Sequence, residues 1–432
     1  MTAKRTPLYG WYGDDFTGST DTLATLAERG FRALLFLHQP SEAQLAAAGP
    51  LDAVGIAGAS RAMASEAIAT ELAEIGRFFA AQGVGLMHYK CCSTFDSAPH
   101  IGSIGAAVAA LKPFFPNPLV PILGGQPNLG RFCLFGNLFA AGGDGTAHRI
   151  DRHPTMSRHP VTPMAEADLR RHLAAQGLTD VGLVDYRAYG GGSAALAELT
   201  SEKAAVLFDV ATEADLAAIG GLLASSLGNG PMLAVGASSV ARAFAAGHDK
   251  AVIAPRAPET QHRGTGPVLA LVGSLSPVTR MQVEAARGYT MLPVDAGRLL
   301  ADAGYAAELR ATALSRLSQG DVMLVTEQPE GAPTSAGAVA EATGALLASV
   351  IAETNLGRLV VAGGDTSTMA IRSLPLWGLS YLRPCVPGAP LCRAHSDDAR
   401  LDGLEIVLKG GQMGPPGFFN DEARGGLVSD PV

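Results

Sequence analysis

The stretch "LYGWYGDDFTGSTDT", Leu8 to Thr22, places an apolar run directly before a cluster of acids and hydroxyls. Leu8–Tyr12 has the short apolar and aromatic composition of a buried strand, and Ser19–Arg29 has the spacing of a helix. Gly13–Gly18 would then be the loop at the carboxyl end of that strand. Open α/β sheets bind their ligands at this edge, so the stretch predicts an α/β fold with a site at its first loop.

The two adjacent aspartates of this loop, Asp14 and Asp15, have two interpretations. One of them could cap the following helix, although Ser19 or Thr20 could do so equally well. Neighbouring carboxylates repel each other, and they are usually found where a cation or a hydrogen-bonding substrate lies nearby. We therefore expect Asp14 and Asp15 to face a ligand.

Short apolar runs alternate with amphipathic, alanine-rich segments such as Ala64–Ala81 along the chain. This alternation is typical of βα units on a mainly parallel sheet. The predicted strands of the first half are Leu8–Tyr12, Ala33–Leu37, Ala53–Ala57, Gly85–Tyr89, Val120–Leu123 and Gly182–Val184. Those of the second half are Val268–Val272, Met291–Pro293, Val322–Thr326, Leu359–Ala362 and Glu405–Leu408. The predicted fold class is α/β, with two α/β domains, mainly parallel sheets and an active-site cleft between the domains.

A length of 432 residues predicts two domains. The clearest break is "APRAPETQHRGTGP" at 254–267, which is polar, rich in Pro and Gly, and without period. We therefore predict one domain at 1–253, a linker at 254–267 and a second domain at 268–432.

Composition excludes several classes of protein. The net charge is −8, and no block of lysine and arginine is dense enough to follow a nucleic-acid backbone. No apolar run approaches the roughly 18 residues of a membrane span. The five cysteines are odd in number and include an adjacent pair, which argues against a disulfide framework. We expect a cytoplasmic protein without nucleic-acid or membrane partners, and a homo-oligomer is compatible with the composition.

Three Gly- and hydroxyl-rich turns follow predicted strands in the second domain. Glycines let backbone amides approach an anion, hydroxyls donate to it, and a following helix adds partial positive charge. Each turn alone is compatible with an ordinary tight turn, but three in one domain favour phosphate binding. The turns lie in "LVGSLSPVTRMQV" with Ser274 and Ser276, "AGGDTSTMAIRSL" with Gly363, Gly364 and Thr366, and "LKGGQMGPPGFF".

The segment "HYKCCSTFDSAPHIGSIG", which starts at His88, also has the pattern of a strand, a polar loop and a helix. Lys90 offers a positive charge to an anionic group, and Ser93, Thr94 and Asp96 offer hydroxyls and a carboxylate to a polyol. The alternative makes an acid or serine of this loop a helix cap and Lys90 a solvated surface charge. Without a partner base, the adjacent cysteines indicate small buried hydrophobes rather than a nucleophile.

The segment "HRIDRHPTMSRHPVTPM" at 148–164 is rich in histidine and arginine. Its prolines prevent a helix that would align the imidazoles, so this segment does not predict a zinc site. We expect either a cationic loop that meets an acidic substrate or a solvated loop, and Arg61 in "GASRA" has the same two interpretations. Thr162 and Pro163 predict the start of the next helix.

Taken together, these stretches resemble the four-carbon acid sugar kinase family. The resemblance spans about residues 8–419 and is carried by "YGDDFTGSTDT", "YKCCSTFDSAPHIGSIG", "GGQPNLGRFCLFGNLFA", "HPTMSRHPVTPM", "GSLSPVTRMQV", "AGGDTS" and "VPGAPLCR" with "LEIVLKGGQMG". Members of this family phosphorylate small sugar acids with ATP. They pair an amino-terminal substrate-binding domain with a carboxyl-terminal nucleotide-binding domain, which implies the same roles for 1–253 and 268–432.

The resemblance also implies roles for individual residues. The acidic loop would face the substrate, with Arg61, Lys90 and the loop of Ser93, Thr94 and Asp96 nearby. ATP would contact Ser274 or Ser276, Gly363, Gly364, Asp365, Thr366 and Gly411. The last turn departs from the family pattern K-S-G-N, because this chain has Lys409-Gly410-Gly411-Gln412. One phosphate contact is therefore expected to move from a hydroxyl to a backbone amide.

The reaction that the resemblance implies is transfer of the γ-phosphoryl group of ATP to a hydroxyl of a sugar acid. Such acids include erythronate, threonate, their 3-oxo forms and 3-oxo-isoapionate. Asp15, or less favourably Asp14, would accept the proton of that hydroxyl. Lys90 and Arg61 would bind the carboxylate, and Asp365 would hold Mg²⁺ directly or through water.

Two other functions are weighed against the kinase. An aldolase or decarboxylase acting on the same acids would use Lys90 as a Schiff base, but the three phosphate-type turns argue against it. A non-catalytic sugar-acid sensor would not need an acidic loop together with a nucleotide site.

Overall fold

The computed structural model describes residues 6–159, 161–192, 198, 200, 203, 205–248, 266–274, 276–327, 335–420 and 423. The chain divides into two compact units, Met1–Pro255 and Arg256–Val432. Residues 254–265 of the predicted linker lie outside the described part of the chain. Every helix in the described ranges is too short or too polar to cross a membrane.

The first unit is built from strands and helices that alternate along most of its length. Its described strands are β1 Tyr9–Gly13, β2 Ala33–Phe36, β3 Ala53–Ala57, β4 Leu86–Lys90, β5 Val120–Gly124, β6 Arg131–Leu134, β7 Asn137–Ala141, β8 Ala147–Arg149, β9 Val181–Val184, β10 Ala205–Asp209 and β11 Met232–Gly236. Its described α-helices are α1 Phe16–Glu28, α2 Glu42–Ala48, α3 Ser65–Gln82, α4 Ile104–Leu111, α5 Leu169–Ala174, α6 Glu213–Ser226 and α7 Ser239–Ala246.

Most of these strands form one parallel sheet in the order β2–β3–β1–β4–β11–β5–β10–β9. Strands β6, β7 and β8 form a separate antiparallel sheet. Strand β1 is buried along its whole length, including Tyr9, Trp11 and Tyr12. Burial on both faces is typical of a parallel strand, and it explains why the polar residues begin only where β1 ends.

The second unit contains a mixed sheet. Its described strands are β12 Val268–Val272, β13 Tyr289–Asp295, β14 Asp321–Glu327, β15 Arg358–Ala362, β16 Gly378–Val386, β17 Ala389–His395 and β18 Glu405–Lys409. Its described helices are α8 Pro277–Ala285, α9 Ala296–Ala301, α10 Ala303–Leu317, α11 Ala336–Ile351 and α12 Gly364–Arg372. The strand order is β13–β14–β12–β15–β18–β17–β16, in which β17 is antiparallel to both neighbours and the other pairs are parallel.

The core of the second unit packs the chain's last described segment against the sheet. Phe418 and Phe419 are fully buried and pack with Val268, Val360 and Val407 of β12, β15 and β18. Because these strands carry the three predicted phosphate turns, their common core keeps the turns at one edge of the sheet.

The predicted α/β class with mainly parallel sheets is confirmed by the strand pairing in each unit. The hairpins β6–β7 and β16–β17 were not predicted, since Gly and Pro interrupt the apolar runs from which they form. The helix start predicted at Thr162 and Pro163 is wrong. Helix α5 begins at Leu169, where the side chain of Asp168 accepts a hydrogen bond from Arg170 N and caps the helix.

Candidate active site

The acidic loop lies at an edge of the first sheet where several strands end together. Gly13 at the end of β1 is paired with Ala57 of β3 and with Lys90 of β4. The backbone continues this alignment beyond the strands, because Asp14 N donates to Lys90 O at 2.9 Å. The loops after β1, β3 and β4 are therefore brought to one place, although they are distant in the sequence.

Arg61, from the loop after β3, binds both neighbouring aspartates. Its Nε and Nη2 donate to the two carboxylate oxygens of Asp14 at 3.1 and 3.0 Å. Its Nη1 lies 2.8 Å from Asp15 Oδ2. Asp14 Oδ2 also accepts a hydrogen bond from Cys92 N at 3.2 Å. Arg61 is thus the cation that compensates for the two adjacent carboxylates. Its guanidinium is paired with both of them and is mostly buried.

Asp15 is also the N-cap of α1, because its Oδ1 accepts a hydrogen bond from Gly18 N at 2.8 Å. Its other oxygen accepts from Thr17 Oγ1 at 2.7 Å. The helix therefore begins at Phe16 rather than at Ser19, and the second half of the predicted loop Gly13–Gly18 is helical. The capping interpretation of the acids is correct for Asp15, and it does not exclude a role with a ligand, since the carboxylate is also charged and paired.

The two carboxyl groups have different acidities. Burial raises the pKa of Asp14 above its usual value; the Arg61 charge opposes this effect and the Asp15 charge adds to it. Burial acts in the same direction on Asp15, but Arg61, Lys90 and the hydrogen bonds from Thr17 and Gly18 outweigh it. The pKa of Asp15 therefore lies below its usual value, and of the two carboxyl groups that of Asp15 stays ionised to the lower pH.

Lys90 is buried at the end of β4 and does not point into solvent. Its Nζ donates to Cys91 O at 2.7 Å. A Cβ atom at Gly18 would lie 2.4 Å from Lys90 Nζ and 2.7 Å from Asp15 Oδ1, so both groups pack against this glycine at the start of α1. Burial lowers the pKa of Lys90, but the charges of Asp14 and Asp15 outweigh it, and the pKa lies above its usual value.

The loop after β4 adds further polar groups at this edge. Thr94 Oγ1 donates to Asp96 Oδ1 at 2.7 Å and lies 3.0 Å from Cys92 Sγ. Ser93, Thr94 and Asp96 are each more than nine-tenths buried. None of the described helices is capped by Asp96, since α4 begins only at Ile104 with Ser103 as its cap. The loop thus places a carboxylate and hydroxyls beside the aspartate pair, as the polyol interpretation requires.

In the second unit, the three glycine- and hydroxyl-rich turns also meet at one edge. Val272 of β12 is paired with Ala362 of β15, and Ala362 with Lys409 of β18. Beyond the strands, Ser274 N donates to Ala362 O at 3.1 Å, and Gly363 N donates to Lys409 O at 2.8 Å. Turns that are distant in sequence therefore form one surface of the second unit.

Helix α12 begins in the middle of this surface. Gly363 precedes it with a φ of +126°, a conformation that favours glycine. No described side chain caps the helix, so the first backbone N–H groups, those of Gly364, Asp365 and Thr366, are left for an anion. A Cβ atom at Gly273 would lie 2.0 Å from Thr366 Oγ1, which places this hydroxyl directly against the turn after β12.

The turn after β18 is held by hydroxyls from its neighbour. Ser276 Oγ and Thr279 Oγ1 donate to Gly411 O at 2.6 and 2.8 Å. A Cβ atom at Gly411 would lie 2.4 Å from Ser274 Oγ. The segment that begins α8 thus holds the K-G-G-Q turn in place through hydrogen bonds to the carbonyl of Gly411.

A buried lysine lies under these turns. Lys409 is fully buried; its Nζ donates to Thr279 Oγ1 at 3.1 Å and to Gly410 O at 3.0 Å, and lies 5.6 Å from the ring centre of Phe418. Burial lowers its pKa to about 7. Lys409 is a functional candidate that is absent from the residues predicted above. A lysine at the end of an apolar strand is the feature of the sequence that could have indicated it.

Magnesium was predicted with Asp365 as its ligand. Asp365 lies in the first turn of α12, and the described residues contain no cluster of three His, Cys, Asp or Glu side chains that could hold a metal ion. A single carboxylate fits Mg²⁺ that is bound mainly through nucleotide phosphates. It does not fit a metal site made by the protein alone.

Comparison with known proteins decides the family. A model of a sugar-binding N-terminal domain matches residues 9–244, and a model of a nucleotide-binding C-terminal domain matches residues 269–419. The chain belongs to the four-carbon acid sugar kinase family. The predicted resemblance is thereby confirmed, and with it the enzyme class of a sugar-acid kinase.

Several relatives of this kinase match over almost their whole length. A 3-oxo-isoapionate kinase from Paraburkholderia graminis is 38% identical, over 98% of this chain and 95% of the relative. A 3-oxo-tetronate kinase from Methylobacterium radiotolerans is 31% identical, over 95% of this chain and 97% of the relative. A solved structure from Salmonella typhimurium LT2, named a putative tRNA synthase, has a TM-score of 0.75 at 26% identity and covers 95% of this chain and 97% of that chain.

The histidine-rich segment of the kinase is used mostly to build turns. His153 Nδ1 accepts hydrogen bonds from Thr155 N and Met156 N, both at 3.2 Å, and His159 Nδ1 accepts from Thr162 N at 3.1 Å. Arg149 forms an ion pair with Asp151. These contacts lie within the segment, and both interpretations of it, a cationic loop that meets an acidic substrate or a solvated loop, stay predictions.

The structure thus brings the predicted residues together as two groups. Asp14, Asp15, Arg61, Lys90, Ser93, Thr94 and Asp96 gather in the first unit. Ser274, Ser276, Gly363, Gly364, Asp365, Thr366 and Gly411 gather in the second. The catalytic and binding roles of these residues, and the cleft predicted between the domains, stay predictions.

Proposed function

We propose that this kinase transfers the γ-phosphoryl group of ATP to a hydroxyl of a four-carbon or branched sugar acid. The observation that carries the proposal is the buried carboxylate of Asp15, which is kept ionised by Arg61 and Lys90 at the head of α1. A proton acceptor for a sugar hydroxyl must be ionised and placed at a ligand-binding edge. In this proposal, residues 1–253 bind the acid and residues 268–432 bind ATP.

In the first unit, Asp15 accepts the proton of the reacting hydroxyl. Each carboxylate oxygen offers two lone pairs; Oδ1 is used by Gly18 N and Oδ2 by Thr17 and Arg61. Oδ1 therefore keeps a lone pair for the substrate. Asp14 has the same count, because its Oδ1 accepts from Arg61 Nη2 and its Oδ2 accepts from Arg61 Nε and Cys92 N. We assign Asp14 to orienting Arg61 because burial raises its pKa, whereas the pKa of Asp15 is lowered and Asp15 stays ionised.

The remaining polar groups of this edge bind the substrate. Asp96 accepts hydrogen bonds from its hydroxyls, and so does Thr94 Oγ1, whose own hydrogen is donated to Asp96; Ser93 lies beside them in the sequence. Arg61 is already engaged by two carboxylates, so it contributes positive charge to the site more than a direct bond. Lys90 is a candidate for the substrate carboxylate or for the transferred phosphoryl group, since its raised pKa keeps it charged.

In the second unit, the phosphates of ATP lie on the turns of Ser274, Ser276 and Gly411 and on the first N–H groups of α12. Helix amino termini and glycine turns bind phosphate through backbone N–H groups and the helix dipole. Mg²⁺ would be held by Asp365 together with the phosphates, and it would neutralise charge on the transferred group. Phosphoryl transfer requires mainly positioning and charge stabilisation from the protein, and the residues present supply both.

The chemical step balances without a further reactant. The substrate oxygen forms a bond to the γ-phosphorus as the bond to the β–γ bridging oxygen breaks, and ADP leaves. The hydroxyl proton passes to Asp15 and then to solvent. ATP and free cysteines, of which the described chain contains five, agree with a cytoplasmic location.

The Schiff-base alternative is disfavoured by the state of Lys90. A lysine that attacks a carbonyl must lose its proton, and such lysines have a lowered pKa, whereas the pKa of Lys90 is raised. Borohydride should therefore trap no adduct between the protein and a 3-oxo acid. A trapped adduct that disappears in Lys90→Met would support the aldolase or decarboxylase instead.

The proposal is tested by an ADP-release screen with Mg²⁺ and ATP. The panel contains erythronate, threonate, their 3-oxo forms and 3-oxo-isoapionate, with the matching neutral polyols as controls. Because relatives named for 3-oxo-isoapionate and for 3-oxo-tetronate match this chain, we expect one of these 3-oxo acids to give the highest kcat/KM. Binding of an acid without ADP release from any member of the panel would favour the sensor and contradict the kinase.

A further inference from the structure

A further polar side chain, that of Arg131, reaches the substrate edge of the first unit from an element with no predicted role. Arg131 begins β6, just after the turn that follows β5. The turn is closed by backbone hydrogen bonds between Gln126 and Arg131, of 2.8 Å from Gln126 N and 3.2 Å from Arg131 N. Gln126 Nε2 in turn donates to Asp21 Oδ2 of α1 at 2.8 Å. The turn is therefore fixed to the helix that Asp15 caps.

Arg131 is a buried cation with an unsatisfied donor, Nε. The residue is 8% exposed. Its Nη1 donates to Leu129 O, and its buried Nε has no hydrogen-bond acceptor in the structure. Within the described residues, Arg131 forms no ion pair. Burial lowers its pKa, and the nearby groups Cys92 and Asp96 oppose that effect, which places Arg131 beside the loop after β4.

The unsatisfied Nε of Arg131 belongs to an edge of the guanidinium that other arginines of this protein use to bind an aspartate. The Nε–Nη2 edge of an arginine matches the two oxygens of a carboxylate. Other arginines of the chain each hold an aspartate with this edge, namely Arg61 with Asp14, Arg170 with Asp168 and Arg400 with Asp398. In Arg131 the Nε of this edge is buried and has no hydrogen-bond acceptor among the described residues.

A buried cation without a partner is costly, because burial removes its hydration and no ion pair compensates for the loss. The cost is reduced when a ligand brings the missing anion. We propose that Arg131 binds the carboxylate of the sugar acid through its Nε–Nη2 edge, and that this contact selects acids over neutral polyols. This inference rests on the proposed function, and it names the group that recognises the substrate's charge.

The other cations of this edge have contacts within the protein. Arg61 binds Asp14 and Asp15, and Lys90 packs at the head of α1 beside Asp15. Asp96 raises the pKa of both Arg61 and Arg131, so it lies near each of them. The substrate would thus extend from Arg131 at its carboxylate, past Asp96 at its hydroxyls, to Asp15 at the hydroxyl that reacts.

The test is binding of a matched acid and polyol by titration calorimetry without ATP. Erythronate and erythritol are used, together with any acid that is turned over in the ADP-release screen. Arg131→Met should weaken binding of the acid by about 10- to 150-fold and change binding of the polyol little. Arg131→Lys keeps the charge but loses the paired donors, and we expect an intermediate loss on the acid.

The matched control is Arg170→Met, which removes an exposed arginine whose edge is occupied by Asp168, and we expect unchanged binding of the acid. Retained binding of the polyol by Arg131→Met shows that the first unit, which contains the substitution, is folded, and ATP binding should equal that of the unchanged protein. Equal losses on acid and polyol, or no loss on either, would overturn the inference. So would a selective loss on the acid in Lys90→Met but not in Arg131→Met.

Failure of the proposed function is distinguished by a different measurement. In that case the unchanged protein would release no ADP from ATP with any acid of the panel. The calorimetric comparison of acid and polyol would still decide whether Arg131 binds the carboxylate.

Discussion

Arg61 Nη1 lies 2.8 Å from Asp15 Oδ2, so the carboxylate that caps α1 is paired with a cation from the loop after β3. Burial alone would favour the neutral form of this acid, and the ion pair reverses that preference. The pair therefore keeps an ionised carboxylate in a buried place at the head of a helix.

Asp15→Asn should lower kcat by about 10²- to 10⁴-fold, because an amide cannot accept the substrate's proton. Asparagine is as good an N-cap as aspartate, so α1 should stay intact and ATP affinity should change little. The measurement is steady-state ADP release with the best acid of the panel, together with calorimetric binding of ATP.

Asp168→Asn is the matched control for this change. Asp168 also caps a helix and also binds an arginine through both carboxylate oxygens, but it has no proposed role with the substrate. Its kcat should be close to that of the unchanged kinase. If Asp15→Asn keeps most of its kcat, Asp15 is not the base, and Asp14→Asn becomes the variant to measure.

Gly364→Val should abolish measurable binding of ATP. Gly364 is the first residue of α12, and a branched side chain there would occupy space needed where the backbone approaches phosphate. Binding of the sugar acid should be retained. Gly337→Val is the control, since Gly337 lies in the first turn of α11, where a Cβ atom would meet no close contact. Unchanged ATP affinity in Gly364→Val would place the phosphates elsewhere.

ATP binding should take up a proton at about pH 8 through Lys409. The pKa of this buried lysine is lowered to about 7, so the free kinase carries mostly neutral amine above that pH. A bound triphosphate favours the charged form and raises the pKa. Uptake should disappear below about pH 6, where the amine is already protonated in the free kinase.

Proton uptake is measured by calorimetry in buffers of different ionisation enthalpy, and Lys409→Met provides the reference. Since ATP has its own ionisation, the quantity of interest is the difference between the kinase and this variant. If the unchanged kinase and Lys409→Met take up the same number of protons, the protonation of Lys409 does not change when ATP binds.

Tyr9→Phe should reduce the free energy of unfolding by about 1–3 kcal/mol. His88 Nε2 lies 3.0 Å from Gly236 O, which can only accept a hydrogen bond, so Nδ1 must accept from Tyr9 Oη at 2.7 Å. Burial lowers the pKa of His88 to about 3, and the ring stays neutral. Without the tyrosine hydroxyl, Nδ1 would be a buried acceptor without a donor.

Urea denaturation of the full chain measures this effect, and Tyr186→Phe is the control because Tyr186 is exposed. The control should change the free energy of unfolding by less than about 0.5 kcal/mol. Equal stability of Tyr9→Phe and the unchanged protein would mean that the hydroxyl contributes nothing to the core.

Acid should also destabilise the kinase below about pH 6.5, because unfolded His88 binds a proton that the folded ring does not.

Much of the fold and many site residues could be predicted from local sequence. The apolar run before Asp14 predicts a buried strand, and the glycines at 363–364 predict a turn that a larger residue would hinder. Helix boundaries were less accurate, since Asp15 rather than Ser19 caps α1. Local composition does not distinguish two good caps that lie four residues apart.

The sequence alone determined where the chemistry-bearing groups lie along the chain, because strand, turn and helix propensities act over a few residues. Only the tertiary structure decided which of these groups are paired. Asp14 and Arg61 are 47 residues apart in sequence, and they meet because β3 lies beside β1 in the sheet. Arg131 is a candidate for the substrate carboxylate because the fold buries its Nε without a hydrogen-bond acceptor in the described part of the chain. Burial and ion pairing depend on strand order, which arises from contacts between distant parts of the chain and leaves no local pattern to read.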